Sequence, residues 1–172
     1  MTILVTGGAG FIGTYVVQAL LATGIGVDAT EASFPISRIV VADRAPPSTP
    51  FADARVIMRQ GDIGDGDFVR SLVTPDVRVI FHLAGVVSGA AEADFAAGMH
   101  ANLDGIRHVL EACRALSKPT RLMFSSSIAV YGDPLPAAID DATLPVPTLS
   151  YGVQKLVSEH LINDYTRRGF VD

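Results

Sequence analysis

Tyr151 and Lys155 lie four residues apart in the segment Ser150–Glu159, which reads SYGVQKLVSE. Positions i and i+4 share one face of a helix, so a helix here places the ammonium beside the phenol. A free tyrosine titrates near pH 10, and making it a base at neutral pH takes roughly 4 kcal/mol of extra phenolate stabilisation. A neighbouring cation favours the charged phenolate. The pair therefore predicts a tyrosine general base, although a solvated lysine on an amphipathic helix has the same spacing.

A run of three serines, Ser125–Ser127, follows an apolar segment that is typical of a buried strand. A hydroxyl at the carboxyl edge of a parallel sheet can hydrogen-bond a reacting substrate oxygen while Tyr151 takes its proton. Serines after strands are often only loop residues, so this interpretation depends on the combination with Tyr151 and Lys155. No Gly-x-Ser-x-Gly elbow is present, which leaves no case for a hydrolase triad.

The segment Thr6–Gly13, TGGAGFIG, joins the first apolar strand to the first helix. Absent side chains let such a turn tighten and let its backbone approach a pyrophosphate at the helix N-terminus. The alternative is a tight turn that binds nothing. The glycine pattern predicts a dinucleotide site, and the residues assigned to it here are Gly7, Gly10, Phe11, Ile12 and Gly13.

An acidic residue follows each of the next two predicted strands. Asp43 follows the second strand, where a carboxylate can bind the ribose hydroxyls of NAD and repel a 2′-phosphate. Arg44 comes next and could serve NADP, but the carboxylate favours NAD. Asp62, with Ile63, follows the third strand and could meet adenine, or it could form an ordinary turn. Asn102, inside a predicted helix, has either an orienting role or none.

Short β-branched runs alternate with helical patterns, which predicts an α/β fold with βαβ units and a doubly wound parallel sheet, a Rossmann fold of strand order 3-2-1-4-5. Thr30–Ser37 is predicted to be an insertion and the proline-rich Asp133–Leu149 a loop. The predicted strands are Ile3–Thr6, Arg38–Ala42, Ala54–Met58, Val77–His82 and Arg121–Ser125. The predicted helices are Phe11–Thr23, Asp67–Leu72, Ala91–Leu116 and Tyr151–Arg168.

The last residues predict that the fold continues. A helix closes on Gly169 and a sixth strand begins at the end of the chain. We therefore expect residues 1–172 to form one NAD-binding Rossmann domain, the N-terminal portion of a longer enzyme. On this interpretation the C-terminal part of the fold and the substrate domain lie outside the chain.

The composition of the chain limits the classes of partner that we expect. The net charge of −5 provides no basic footprint, so neither nucleic acid nor an anionic membrane is an expected partner. No apolar run reaches the length of a membrane span, and we expect a cytoplasmic protein. A single cysteine and four scattered histidines provide no metal-ligand cluster, so no metal site is predicted.

Together these motifs resemble the extended short-chain dehydrogenase/reductase family, in its NAD-dependent epimerase/dehydratase branch. The resemblance covers the whole sequence and adds the segments HLAG (His82–Gly85) and SSSIAVYG (Ser125–Gly132). It implies that Ser127 is the catalytic hydroxyl, Tyr151 the base and Lys155 the cation that binds ribose and stabilises the phenolate. It also assigns Leu83, Ala84, Gly85, Asn102 and Ser125 to the cofactor site. Gly85 replaces the commoner alanine.

Within the family, His82–Phe95 and Leu161–Asp172 resemble members that oxidise the C2 hydroxyl of a four-carbon sugar acid with NAD. That resemblance implies a small-molecule substrate, with Ser88 and Ser127 as substrate contacts. Two alternatives stay open: a nucleotide-sugar epimerase or dehydratase that recycles its NAD, and a non-catalytic NAD-binding half-domain. Relatives commonly form homodimers through the helices that correspond to Ala91–Leu116 and Tyr151–Arg168, so a homodimer is expected.

Overall fold

The computed structural model describes all 172 residues and contains seven strands and six α-helices. The strands are β1 (Thr2–Thr6), β2 (Ile25–Val27), β3 (Ser33–Pro35), β4 (Arg38–Asp43), β5 (Val56–Gln60), β6 (Val77–His82) and β7 (Arg121–Phe124). The helices are α1 (Phe11–Thr23), α2 (Gly66–Leu72), α3 (Ser88–Ala93), α4 (Phe95–Gly98), α5 (Gly105–Arg114) and α6 (Ser150–Arg167). A π-helical segment covers Met99–Asp104, and a 3₁₀ turn covers Ile128–Tyr131.

Five strands form one parallel sheet in the order β5-β4-β1-β6-β7. This is the predicted order 3-2-1-4-5 once the short β2-β3 hairpin is set aside, and it confirms the Rossmann architecture. The chain leaves β1 toward β4 on one side and later returns to β6 on the other. Ligands bind at such a switch point, outside the carboxyl ends of the strands.

The core lies on both faces of the sheet, because successive side chains of a strand point to opposite faces. Leu4 and Ile80 pack with α2 and α5 in one buried cluster. Ile3 and Val5 pack with Val17 of α1 in the other. All five of these side chains have an exposed fraction of 1% or less, as expected for strands covered by helices on both sides.

Two short strands were not predicted, and one predicted strand is displaced. The predicted insertion Thr30–Ser37 contains β3, which pairs antiparallel with β2, and Phe34 is buried against Gly26. A three-residue strand is too short to show a period in the sequence. The predicted strand Ala54–Met58 is displaced, because the carboxylate of Asp53 accepts bonds from the backbone and side chain of Arg55 and holds a turn there. Pairing begins only at Val56.

The prediction of one continuous helix over Ala91–Leu116 is wrong. Asp94 is extended, with φ −137° and ψ 94°, and ends α3. Its side chain then accepts a hydrogen bond from the Ala97 amide at 3.0 Å and caps α4, a role for which aspartate is well suited. The π-helical segment follows before regular α-helix resumes at Gly105.

The end of the chain adds to the sheet. Gly169, with φ +75°, ends the turn after α6. Val171 then bridges Thr120 in parallel, and the Asp172 backbone exchanges hydrogen bonds with Thr120 and Leu122. The last two residues therefore pair beside β7, at the edge where the sequence predicts the next parallel strand. None of the helices has the length and hydrophobicity needed to cross a membrane.

Candidate active site

The glycine turn between β1 and α1 brings two stretches of backbone into direct contact. Gly7 has φ +69°, and its carbonyl oxygen accepts a hydrogen bond from the Gly10 amide at 3.1 Å. A Cβ added to Gly13 would lie only 2.2 Å from that same oxygen. Only glycine allows α1 to start this close to the end of β1.

The N-terminus of α1 is open toward the edge of the sheet. Its cap residue, Gly10, has no side chain to bond the first amides of the helix. Phe11 and Ile12 are 80% and 57% exposed and do not cover the helix end, whereas Gly13 is buried in the turn. Unpaired amides and the helix dipole make this end suitable for an anionic group such as a pyrophosphate.

Beside this helix end is a cleft of about 230 Å³. Predicted cofactor residues line much of it, together with several residues that the sequence did not single out. The predicted ones are Gly7, Gly10, Asp43, Asp62, Ile63, Leu83, Ala84 and Gly85. The additional ones are Ala42, Gly61, Phe68, Val86 and Ala101, and Arg44, which the sequence offered for NADP, lines the cleft with them. Most of the predicted set therefore meets in one concavity.

Asp43 has two roles at this cleft. One carboxylate oxygen accepts a hydrogen bond from the Ala9 amide in the glycine turn at 3.1 Å. The other is 3.4 Å from the Ala45 amide, and the residue lines the cleft wall. Asp43 thus holds the turn while its carboxylate remains beside the space where a ribose could bind. Arg44 lines the same wall and forms no ion pair.

Both interpretations of Asp62 fit the structure. Its Oδ1 accepts a hydrogen bond from the Gly64 amide at 2.8 Å, which makes an ordinary Asx turn. The same oxygen is 3.4 Å from Nε2 of His100, and Asp62 and Ile63 line the cleft. The turn positions both residues at the far end from the serine loop.

Asn102 lies behind the cleft wall and does not face into it. Its Oδ1 accepts from the Val86 amide at 2.9 Å, and its Nδ2 donates to the Val86 carbonyl at 3.2 Å. The side chain is only 2% exposed. Asn102 therefore acts on the cleft through the loop Leu83–Val86, which matches the orienting role considered from the sequence.

His82, at the end of β6, is not a candidate base. Burial and the charge of Lys155 lower the pKa of its imidazole to about 3. Its Nδ1 is 2.9 Å from the Thr6 hydroxyl, and its ring stacks on Phe124 with centroids 6.0 Å apart. It is a neutral core residue over the whole physiological pH range.

Lys155 connects the serine loop with Tyr151. Its Nζ donates to the Ser125 carbonyl at 2.9 Å and lies 4.6 Å from the centroid of the Phe124 ring. The Tyr151 ring centroid is 5.8 Å away. Burial lowers the pKa of Lys155 to about 8, so the ammonium is mostly charged at pH 7. The predicted pair is thus together, and Ser125 contributes its carbonyl to it.

Ser127 is joined to α6 through close backbone packing. Its Oγ accepts from the Ala129 amide at 3.2 Å and caps the 3₁₀ turn. A Cβ on Gly152 would lie 2.2 Å from the Ala129 carbonyl oxygen, so α6 rests directly on this turn. Gly152 follows Tyr151, and the contact therefore brings the tyrosine to the serine loop.

Other residues that the sequence did not predict position the start of α6. Glu92, one turn after Ser88 on α3, accepts a hydrogen bond from the Tyr151 amide at 3.3 Å. A carboxylate at a helix N-terminus is favourable. Ser126 donates to Glu159, which ties the serine loop to α6 a second time. Ser88 itself begins α3 and is half-buried, and its contact with substrate stays a prediction.

The structure contains no group of three or more His, Cys, Asp and Glu side chains that could hold a metal ion.

An open helix end, a carboxylate-lined cleft and a tyrosine–lysine pair lie at the carboxyl edge of one parallel sheet, where ligands bind in folds of this kind. The family model of the NAD-dependent epimerase/dehydratase family matches residues 3–171, and the chain belongs to this family. The family predicted from the sequence is thereby confirmed.

Two curated relatives are D-erythronate dehydrogenases. That of Cupriavidus necator is 46% identical over 173 residues, which cover 100% of this chain and 52% of the relative. That of Haemophilus influenzae is 37% identical over 172 residues, again covering 100% of this chain and 52% of the relative. The chain spans about half the length of these relatives.

Solved structures show the same fold. A nucleoside-diphosphate-sugar epimerase from Agrobacterium tumefaciens is 38% identical, with a TM-score of 0.89 over 100% of this chain and 50% of its own. MoeE5, solved in complex with UDP-glucose and NAD, is 26% identical, with a TM-score of 0.79 over 99% of this chain and 51% of its own.

The lowered pKa of Lys155 predicts how its replacement changes stability with pH. Between pH 8 and the unfolded value of 10.5, the unfolded chain binds a proton that the folded chain does not, so this lysine makes stability rise with pH. We expect the unfolding free energy of the wild type, relative to Lys155→Met, to increase by up to about 1.4 kcal/mol per pH unit in that range. Urea denaturation at several pH values measures the difference.

The matched control is Lys118→Met, because Lys118 is the other lysine of the chain and is exposed. Its stability curve provides the baseline for the loss of one lysine charge at the surface. Parallel stability curves for the wild type and Lys155→Met would contradict the lowered pKa.

Proposed function

We propose that this chain binds NAD in the cleft and carries the Ser127, Tyr151 and Lys155 machinery of a dehydrogenase that oxidises the C2 hydroxyl of a small sugar acid. The observation that carries the chemistry is the position of Lys155 Nζ, 2.9 Å from the Ser125 carbonyl and 5.8 Å from the Tyr151 ring. A cation held there favours a phenolate beside the serine loop.

The cleft and the residues beside it provide a place for each part of a dinucleotide. The open N-terminus of α1 suits the pyrophosphate, and the Asp43 carboxylate suits the adenine-side ribose. Asp62 and Ile63 lie where adenine would bind. Ala84 and Gly85 line the wall nearest Lys155, which leaves that end of the cleft for the nicotinamide.

The three catalytic side chains would share the work of moving one proton. Ser127 donates a hydrogen bond to the substrate oxygen, and Tyr151 accepts the hydroxyl proton as general base. Lys155 stabilises the negative charge that forms on the phenol. NAD, when bound, supplies the hydride acceptor. His82 is neutral and buried and takes no part in proton transfer.

The substrate class rests on the curated relatives. Two D-erythronate dehydrogenases align with this entire chain, at 46% and 37% identity. We infer that a four-carbon sugar acid of the D-erythronate type is the substrate of the protein to which this chain belongs. A homodimer and a cytoplasmic location stay predictions.

A nucleotide-sugar epimerase or dehydratase is the second candidate. Its support is the nucleoside-diphosphate-sugar epimerase from Agrobacterium tumefaciens, whose structure superimposes with a TM-score of 0.89. Such an enzyme uses the same serine, tyrosine and lysine but returns its hydride to the product. The two candidates therefore differ in whether NADH accumulates.

We expect the full-length protein to which this chain belongs, given NAD and D-erythronate, to form NADH steadily, and to form none with UDP-glucose in a parallel reaction. Absorbance of NADH measures both. A dehydrogenase releases one NADH per substrate oxidised, whereas an epimerase leaves none in solution. Absence of NADH from both reactions would contradict the dehydrogenase and leave the epimerase and the non-catalytic half-domain as the alternatives.

Tyr151→Phe should lower turnover by at least about 100-fold, because the general base is lost. The dissociation constant for NAD, measured by calorimetry, should change little, since the ring and Lys155 remain. The exposed Tyr15→Phe provides the matched control and should keep full turnover. Full activity in Tyr151→Phe would exclude it as the base.

Asp43→Ala should reduce the preference for NAD over NADP, because the carboxylate that repels a 2′-phosphate is gone. Asp43→Asn should do the same while keeping an acceptor for the Ala9 amide, which separates the charge effect from the turn contact. The ratio of the two dissociation constants measures preference. Asp141→Ala, at an exposed site, is the control. An unchanged ratio in both Asp43 variants would remove Asp43 from the cofactor site.

A further inference from the structure

Gln154 is a buried amide between the two catalytic residues of α6, and the proposed mechanism does not use it. It is 2% exposed, and its Oε1 accepts a hydrogen bond from Asn102 Nδ2 at 2.8 Å. Its Nε2 is buried without any hydrogen-bond partner. An amide with one half satisfied is unusual in a core and calls for an explanation.

The orientation of this amide is determined by the loop in front of it. The Val86 amide can only donate, so the Asn102 atom 2.9 Å from it is an oxygen. Asn102 Nδ2 therefore donates to the Val86 carbonyl and to Gln154. Gln154 must present its oxygen to Asn102, which leaves Nε2 turned toward Gly98, 2.8 Å from where a Cβ on Gly98 would be.

An apolar side chain of similar length would pack in this position without leaving a buried donor unpaired. Such a donor costs stability, and local costs of this kind are concentrated at functional sites. Glutamine, unlike an apolar side chain, provides the hydrogen bond to Asn102. It joins α6 to the π-helical segment Met99–Asp104, a type of distortion that is frequent at functional sites.

The loop Leu83–Val86 is held from two directions as a result. Asn102 bonds both backbone groups of Val86 from behind. A Cβ on Gly85 would be 2.6 Å from Asn102 Oδ1 and 4.0 Å from Lys155 Nζ, so the loop passes between the two side chains. Gln154, which bonds Asn102, and Lys155 are consecutive on α6. One helix therefore fixes the position of the loop on both of its sides.

We propose that Gln154 is a positioning residue: by orienting Asn102, it holds the loop Leu83–Val86 in the place where that loop binds the dinucleotide. This proposal rests on the proposed function of the cleft as an NAD site. It assigns to Gln154 an effect on NAD affinity without contact with NAD. The side chain lowers the stability of the fold and raises the affinity of the site.

The test is Gln154→Met in the whole chain, with three measurements. Hydrogen exchange of the Val86 amide, followed by NMR, should become about tenfold faster, the factor that corresponds to one lost hydrogen bond. The dissociation constant for NAD, measured by calorimetry, should rise by a similar factor. The unfolding free energy should stay the same or increase, because the unpaired donor is gone. A purely structural role would lower affinity and stability together.

Three further variants complete the test. Val153→Met introduces the same side chain one residue earlier on the exposed side of α6 and should change none of the three quantities. Gln154→Glu keeps an oxygen acceptor for Asn102 and should restore both the slow exchange of Val86 and NAD affinity. Gln154→Ser is too short to reach Asn102 and repeats the exchange and affinity measurements if the methionine does not fit; its unfolding free energy is not compared, because the smaller side chain leaves a cavity.

The outcomes separate this inference from the proposed function. Unchanged NAD affinity, or unchanged Val86 exchange, in variants at Gln154 would overturn the inference while NAD binding by the wild type upholds the function. Faster exchange throughout the core would also overturn it, because the residue would then only support the fold. Failure of the wild type to bind NAD would overturn both, even if Val86 exchange responds as expected.

Discussion

At the carboxyl edge of this sheet, backbone meets backbone without side chains between. The Gly7 carbonyl occupies the space that a Cβ on Gly13 would need, and a Cβ on Gly7 would lie 2.7 Å from the Ala84 amide nitrogen. This contact brings β1, α1 and the loop after β6 to one point. The hydrogen bonds of Asp43 to the glycine turn and of Thr6 to the Leu83 and Ala84 amides all depend on it. A larger residue in the turn would push apart β1, α1 and the loop after β6, whose residues line the cleft.

The helix α6, which carries Tyr151 and Lys155, is also positioned by a close backbone contact, to which polar contacts are added. Gly152 lets the helix rest on the turn capped by Ser127, and Glu92 bonds the amide at its start. Lys155 then reaches the Ser125 carbonyl from within the helix. Burying an ammonium there is unfavourable, and the face of Phe124 and one carbonyl offset only part of the cost. The site retains its charge at the expense of stability.

Local sequence patterns were sufficient for much of this arrangement. The glycine turn, Asp43 and the pair Tyr151 and Lys155 are each recognisable within about ten residues, and the alternation of strands and helices indicated the parallel sheet. Local patterns could not predict the hydrogen-bond partners of Gln154 and Tyr151, because these partners, Asn102 and Glu92, lie 52 and 59 residues away in the sequence. The break at Asp94 was missed for a different reason: its capping bond to Ala97 is local, but an aspartate in a helical pattern is compatible both with a cap and with a continuous helix.

Lys155 is one of only two lysines in the chain, and its lowered pKa changes the reactivity of its amine. With a pKa lowered to about 8, roughly half of its side chains are uncharged amines at that pH, whereas an ordinary lysine is almost fully protonated. An uncharged amine is a nucleophile. Lys155 therefore combines a larger uncharged fraction than an ordinary lysine with an exposed fraction of only 6%. The same burial that makes its amine more nucleophilic also restricts the access of an acylating reagent to it.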